Sequence, residues 1–275
     1  MRTIKAIITR NLINFTRSKL QLAFSIIMPM FFMFIFSFVM KSNTTGYSNP
    51  LNYLISGIII MTVFQSALTN STSIIDDISG GFMKEIIVSP SSRWQIAVGQ
   101  ISSAVTISVL QGILVVIMGL FMGLKIDFIQ FIQMFIVMVA VGATFSSMGL
   151  YLATVSKNST TFQMMTNVIL MPLTFLSGAY IPTTVMPKIL RPIVYINPLT
   201  YTTAIFRYIT LKMQNLSTND LVKAGVAFNI HGFVIHPYLG MIIILIMFFI
   251  FFVLSVKQFS KADFSRVKSF NPHKG

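Results

Sequence analysis

The chain has 275 residues, 55% of them hydrophobic and only 9% charged, with 26 Phe, no Cys and a formal net charge of +14. A soluble domain carries about 25% charged residues, so this chain cannot cover a water-facing surface, and disulfides and thiolate metal sites are excluded. The positive charge points to basic loops held at one membrane face and not to nucleic acid, since no basic helix or aromatic-basic platform accompanies it.

Lys and Arg cost roughly 2.5–3.5 kcal/mol each at the centre of an inserted helix, so spans exclude them. Residues 20–40, 51–75, 94–124, 128–156, 158–186 and 237–256 contain no Asp, Glu, Lys, Arg or His. Each reaches the ~20 residues that a crossing needs. The runs are continuous and do not alternate, which rules out β-barrel strands. The prediction is an all-α integral membrane protein forming one transmembrane domain. Its six transmembrane helices lie at 20–40, 51–75, 94–124, 128–156, 158–180 and 237–256.

In chain order, residues 1–19 come first. Ile4, Ile7, Ile8, Leu12 and Phe15 share one helical face, with Arg2, Lys5, Arg10 and Arg17 on the other. This predicts an amphipathic interfacial helix in the inner headgroup layer. The first apolar run begins at Leu20 without a small-residue cleavage site after it, so a retained span is expected and not a signal peptide. Pro29 should kink this span, and Pro172 the fifth.

The second span carries a polar stripe, Thr62, Gln65, Thr69 and Thr72, with Ser66 and Ser73 alongside. In the fifth, Thr160, Gln163, Asn167 and Thr174 fall within a narrow arc. Polar groups facing lipid tails are costly, so such stripes either join helices by hydrogen bonds or line a hydrated route. Thr62, Gln65, Thr69, Gln163, Asn167 and Thr174 are the candidate translocation-path residues.

Between spans two and three, residues 76–93 combine Asp76 and Asp77, Gly80 and Gly81, a short helix-compatible stretch with Phe82 and Ile86, and Ser89-Pro90 before Arg93. Ser89 is suited to cap the next helix and Pro90 to begin it. After the fifth span, residues 181–211 hold Pro182, Pro187, Pro192 and Pro198 together with Lys188, Arg191 and Arg207. That segment is too broken to cross lipid and too apolar for a free loop. A pair of short helices re-entering the outer interface fits both constraints. A more polar loop runs to about His236, and residues 257–275 form a basic tail.

Six spans put both termini on one side. The clusters Arg2, Lys5, Arg10, Arg17, Lys19 and Lys257, Lys261, Arg266, Lys268, Lys274 place that side in the cytoplasm, with Lys84, Arg93 and Lys157. Lys41, Lys125, Lys188, Arg191, Arg207, Lys212 and Lys223 then lie outside.

No catalytic constellation is visible. His231, His236 and His273 share no metal-ligand spacing. The acids Asp76, Asp77, Glu85, Asp127, Asp220 and Asp263 all lie outside the spans, so no metal site is expected. An intramembrane proton relay is missing, which argues against proton-coupled carriage. Ion-gradient-driven secondary transport or a channel, with Na⁺ coupling through carbonyls and hydroxyls, stands as the alternative. There is no G-x-x-x-x-G-K-[ST] motif, so a pump built on this chain takes its energy from elsewhere.

Three stretches in order resemble those of ABC-2 type transporter permeases, the membrane subunits of bacterial ABC exporters. They are Asp76/Asp77…Gly81…Glu85…Ser89-Pro90…Arg93, then Phe175-Leu176-Ser177-Gly178-Ala179-Tyr180-Ile181-Pro182, then Asn197-Pro198-Leu199-Thr200-Tyr201 followed by Arg207. The Leu-Ser-Gly stretch is more similar to the drug- and antibiotic-export branch than to the polysaccharide branch. The resemblance implies a separate ABC ATPase subunit carrying ATP and Mg, with no cofactor in this chain. It implies a second permease subunit, identical or related, a bacterial cytoplasmic membrane, and export of a hydrophobic or amphiphilic substrate. Asp76, Asp77, Gly81, Lys84, Glu85 and Arg93 would couple to the ATPase. Pro182, Asn197, Pro198, Tyr201 and Arg207 would form an outer gate. Family members often carry an acid where this chain has Ala204, so Arg207 is expected to meet a carbonyl or a lipid headgroup instead.

Overall fold

A computed structural model describes residues 2–42, 50–79, 92–156, 158–230 and 232–261. Helix α1 (Arg2–Arg17) meets α2 (Lys19–Ser42) at Ser18 with a bend of 75°. Pro29 sits inside α2, which continues through it as one helix. Ile7, Asn11 and Phe15, one turn apart, are the residues α1 buries. They pack on α5 (Arg93–Phe121), where a side chain at Gly99 would come within 2.9 Å of Ile7. Arg2, Lys5 and Arg17 stay exposed.

Helix α3 (Pro50–Thr69) is the centre of the bundle. From Tyr53 to Leu68 every residue is buried except Gln65. A turn at Asn70 and Ser71 leads into α4 (Thr72–Ser79). Helices α5 and α6 (Phe128–Val155) flank α3, and Phe64 meets Phe145 edge-on at 4.5 Å between centroids. Without a hydrophobic drive between helices in lipid, such interdigitation and interhelical hydrogen bonds carry the association. The last long helix, α11 (Pro237–Lys261), packs along α6 but leaves Ile242, Ile246, Phe249 and Val253 exposed, as a lipid-facing wall requires.

Among the described residues, four helical stretches are long and apolar enough to cross a membrane: Leu51–Ile75, Arg93–Phe121, Phe128–Val155 and Pro237–Lys261. Counting the bent pair Arg2–Arg17 with Lys19–Ile35 as one span makes five. The expected fifth span is helix α7 (Ser159–Leu176), 18 residues long with Pro172 inside it, and is not among them.

Gly178, with φ of +84°, ends α7 and turns the chain. Two 3₁₀ turns (Thr183–Val185 and Lys188–Leu190) lead to α8 (Arg191–Ile196) and α9 (Pro198–Thr210). Every residue of α9 from Leu199 to Thr210 is buried, so it lies within protein, while α8 exposes Ile193 and Ile196. Short α10 (Thr218–Lys223) precedes a feature that departs from the all-α prediction, a β-hairpin. Its strands β1 (Phe228–Ile230) and β2 (Phe233–Ile235) pair antiparallel, with Ile230 opposite Phe233. Gly232 adopts φ of +89° at its turn and donates to the Asn229 side chain at 3.0 Å.

Candidate functional site

The second-span stripe faces a groove between α2 and α3 that continues past α1. One lobe, of about 400 Å³, is lined by Gln21, Phe24, Ser25, Met28, Pro29, Thr62, Gln65, Ser66, Thr69, Asn70, Gln111 and Leu170. A second, of about 370 Å³, shares Gln21, Thr69 and Asn70 and adds Asn11, Asn14, Phe15, Thr72, Ser73, Ser103 and Ile107. Thr62 and Thr69 donate to the Ile58 and Gln65 carbonyls, at 2.9 and 2.8 Å. Their oxygens keep acceptor capacity toward the groove. Pro29 removes the N–H that would have met the Ser25 carbonyl, and both residues line the groove.

Three of the predicted path residues, Thr62, Gln65 and Thr69, therefore come together. Those of the fifth span do not join them. Gln163 and Asn167 lie exposed on α7 away from the groove, beside exposed Met164, Val168 and Met171. Thr174 is buried, and its hydroxyl, like that of Thr166, has no hydrogen-bond partner among the described residues. Leu170 is the α7 residue that reaches the groove.

Beside the groove a polar network ties α1, α4 and α5. Arg10 donates through Nη2 to both carboxylate oxygens of Asp77, at 2.7 and 2.6 Å. Gln100 donates weakly to Asp77 at 3.5 Å and accepts from Asn11 at 2.9 Å. Asn11 also lines the groove, so network and groove touch. Asp77 was expected to sit in a loop facing a partner; it stands on α4 with an internal partner. Asp76 is on the same helix with its side chain outside the described residues. Gly81, Lys84, Glu85, Ser89 and Pro90 also lie outside them. Helix α5 starts at Arg93 after Ser92, and Arg93 donates to the Ser260 carbonyl at 2.8 Å. The last helix is thereby joined to the same end of the bundle.

At the other end Arg207 is 1% exposed. It donates to the carbonyls of Gly178 (2.7 Å), Ala179 (2.6 Å) and Tyr53 (3.3 Å). Its guanidinium carbon lies 3.5 Å above the Tyr53 ring. The expected carbonyl partners are present, and Ala204 is buried. Gly57 makes room: a Cβ there would collide with the Ala179 carbonyl and come within 2.9 Å of Arg207 Nη2. Pro182 is buried ahead of the first 3₁₀ turn. Asn197 caps α9, accepting from Leu199 N–H at 2.9 Å and donating to the Leu173 carbonyl at 2.9 Å. Pro198 takes the first helical position, where a missing N–H costs nothing. Tyr201 donates to the Tyr195 carbonyl, fastening α9 to α8. These residues act as one anchor joining α3, α7, α8 and α9.

Nearby, Asp127 caps α6 by accepting from Gln130 N–H at 2.8 Å, and Gln130 donates to the Ile209 carbonyl at 2.9 Å. Lys212 lies 3.0 Å from Asp127. The Gln130 N–H and Lys212 hold the Asp127 carboxyl below its usual range.

Sequence reasoning saw Arg10 only as a charge on a helix face and missed Asn11, Gln21, Asn70, Gln100 and Gln111. The available signal was a carboxamide in or beside an otherwise apolar helix, since a span seldom keeps one without a partner or a water-filled neighbour.

The sequence model of the ABC-2 type transporter family matches residues 2–211. A protein of Pyropia yezoensis named transport permease ycf38 is 29% identical over 235 residues, covering 80% of this chain and 78% of its own length. Two Escherichia coli K12 proteins align over 160 residues, 58% of this chain. One, bearing the name multidrug ABC transporter permease YbhR, is 27% identical over 43% of its length. The other, inner membrane transport permease YadH, is 26% identical over 62% of its length.

Proposed function

The chain belongs to the ABC-2 type transporter family, and from that premise we propose that it is the permease subunit of an ATP-driven exporter. Its cargo is hydrophobic or amphiphilic: a drug, antibiotic, peptide or lipid-like molecule. A separate ABC ATPase binds ATP and Mg. Two permease subunits, identical or related, assemble around the route in a bacterial cytoplasmic membrane. Each has six spans, with α2 and α7 as first and fifth, and both termini inside. Helix α1 lies in the inner headgroup layer, and α8 with α9 forms the re-entrant outer pair.

The observation that carries this reading is Gln65, the one exposed side chain on the otherwise buried stretch from Tyr53 to Leu68, opening into a polar groove. Leaving a carboxamide there is costly unless water or cargo reaches it. The Arg10–Asp77 pair supports coupling, because a push on the 76–93 segment, with Gly81, Lys84 and Glu85, moves α1, α4 and α5 as one body. That body walls the groove. At the far end the Arg207 anchor, with Pro182, Asn197, Pro198 and Tyr201, is the outer gate. Gln163 and Asn167 face the second subunit or the route between subunits, while Thr174 stays buried within its own subunit.

Purification in mild detergent from the native membrane tests the proposal. A retained ATPase whose hydrolysis rises with cargo is the expected result. A preparation that carries no such ATPase yet moves solute on an ion gradient would replace it with the secondary-transport alternative.

A further inference from the structure

Among the described residues that line the two lobes of the groove there is no Asp, Glu, Lys, Arg or His. Arg10 and Asp77, in the polar network beside it, are engaged with each other. What the groove offers is amide and hydroxyl chemistry, with Asn11, Asn14, Gln21, Gln65, Asn70 and Gln111 as its main donors and acceptors. The side-chain amides of Gln21, Gln65 and Gln111 make no hydrogen bond among the described residues, and the buried Oδ1 of Asn11 has no partner there either. Polarity is also graded. The lobe against α1 holds Asn11, Asn14, Thr72, Ser73 and Ser103, while the far lobe adds Phe24, Met28 and Leu170.

We infer that this groove binds an amphiphile with an uncharged head rich in hydroxyl or amide groups, the head reaching from α1 to the Gln65 amide and the apolar part lying along Phe24, Met28 and Leu170. This deepens the permease reading and rests on it. A cationic amphiphile would lose its hydration with no carboxylate to replace it, and a phosphate or carboxylate would find no guanidinium or ammonium. A carboxamide gives two donors and an acceptor with two lone pairs, which a polyol or a peptide amide can match in full.

The test is photolabelling of the full chain in lipid nanodiscs with three decyl probes sharing one chain diazirine. One bears a β-glucoside head, one trimethylammonium and one phosphate. The glucoside should label α2 at Phe24 and Met28 and be retained about tenfold more tightly than either charged probe. Gln65→Leu, exposed and unbonded in the fold, should weaken glucoside labelling about tenfold. Gln65→Asn should recover part of it, both variants keeping the parent melting temperature. A charged probe that labels α2 as well as the glucoside would overturn the inference, as would glucoside labelling indifferent to Gln65→Leu. A protected decanoyl dipeptide amide tells the two neutral sources apart: stronger labelling than the glucoside assigns peptide, weaker labelling a glycoside, and either supports the uncharged head. If a charged probe wins while cargo still stimulates a bound ATPase, only the head chemistry fails. If no ATPase associates, the permease reading fails independently.

Discussion

Arg207 lies with its guanidinium carbon 3.5 Å above the ring of Tyr53 while donating to that residue's own carbonyl at 3.3 Å. It also donates to two further carbonyls, at Gly178 and Ala179. A planar fork can satisfy several carbonyls and stack at once; a Lys ammonium cannot. Arg207→Lys should therefore lose two of the bonds and the stacking, and Arg207→Met should orphan three buried carbonyls. We expect destabilisation of about 2–4 kcal/mol, larger for Met. Thermal denaturation in detergent checks this, and a melting temperature unchanged in both variants would show that the anchor is not structural.

Gly57→Ala attacks the same anchor from α3. The new methyl meets a backbone carbonyl at Ala179, which cannot swing aside as a side-chain tip can. Overpacking of this kind costs about 1–3 kcal/mol. The variant should insert normally yet melt lower, and Gly57→Ala combined with Arg207→Met should cost less than the two separately, since they share a partner.

The Arg10–Asp77 pair gives a charge-exchange experiment. Asp77→Asn or Arg10→Gln should cost about 1–3 kcal/mol locally. Each should lower cargo-stimulated ATP hydrolysis by the partner without preventing insertion. Arg10→Asp with Asp77→Arg should restore much of the coupling. Failure of the exchange together with normal coupling in both single variants would remove the pair from the transmission path.

Asp127 predicts an acid limb. Its carboxyl titrates lower in the folded chain than its ordinary 3.8 because the Gln130 N–H and Lys212 favour the anion. The contribution to stability is then complete above the ordinary value and disappears as pH falls through the lowered one. Asp127→Asn should flatten the loss of melting temperature below about pH 4 while leaving the neutral-pH value slightly reduced. An identical acid limb in the variant would assign it to other carboxylates.

The spans were legible because excluding charge from lipid writes itself along the chain, and four of the expected runs reappear as crossing-length helices. The same rule could not fix α7, whose polar side chains and Pro172 shorten the apolar stretch. At the outer anchor, Asn197-Pro198 reads directly as a helix start, and the missing acid at Ala204 already turned Arg207 toward carbonyls. Arg10 and Asp77 were seen separately, one as face charge and one as loop charge. Nothing local in a sequence states that residues 67 positions apart will pair. The hairpin was missed because strands of three residues carry little periodicity; Ile230-His231-Gly232-Phe233 was its signal. Gln163 and Asn167 share an arc as expected, but an arc does not say which neighbour it faces.

The central claim is that this permease draws on a soluble ATPase and has no motor of its own. Proteoliposomes holding the purified chain, with and without its co-purified ATPase, can be followed for uptake of the labelled decyl glucoside under ATP, under an ion gradient, and under both. Accumulation that requires the ATPase and hydrolysable ATP, and that Gln65→Leu reduces, is the predicted result. Accumulation by the chain alone on an ion gradient, unaffected by nucleotide, would contradict it.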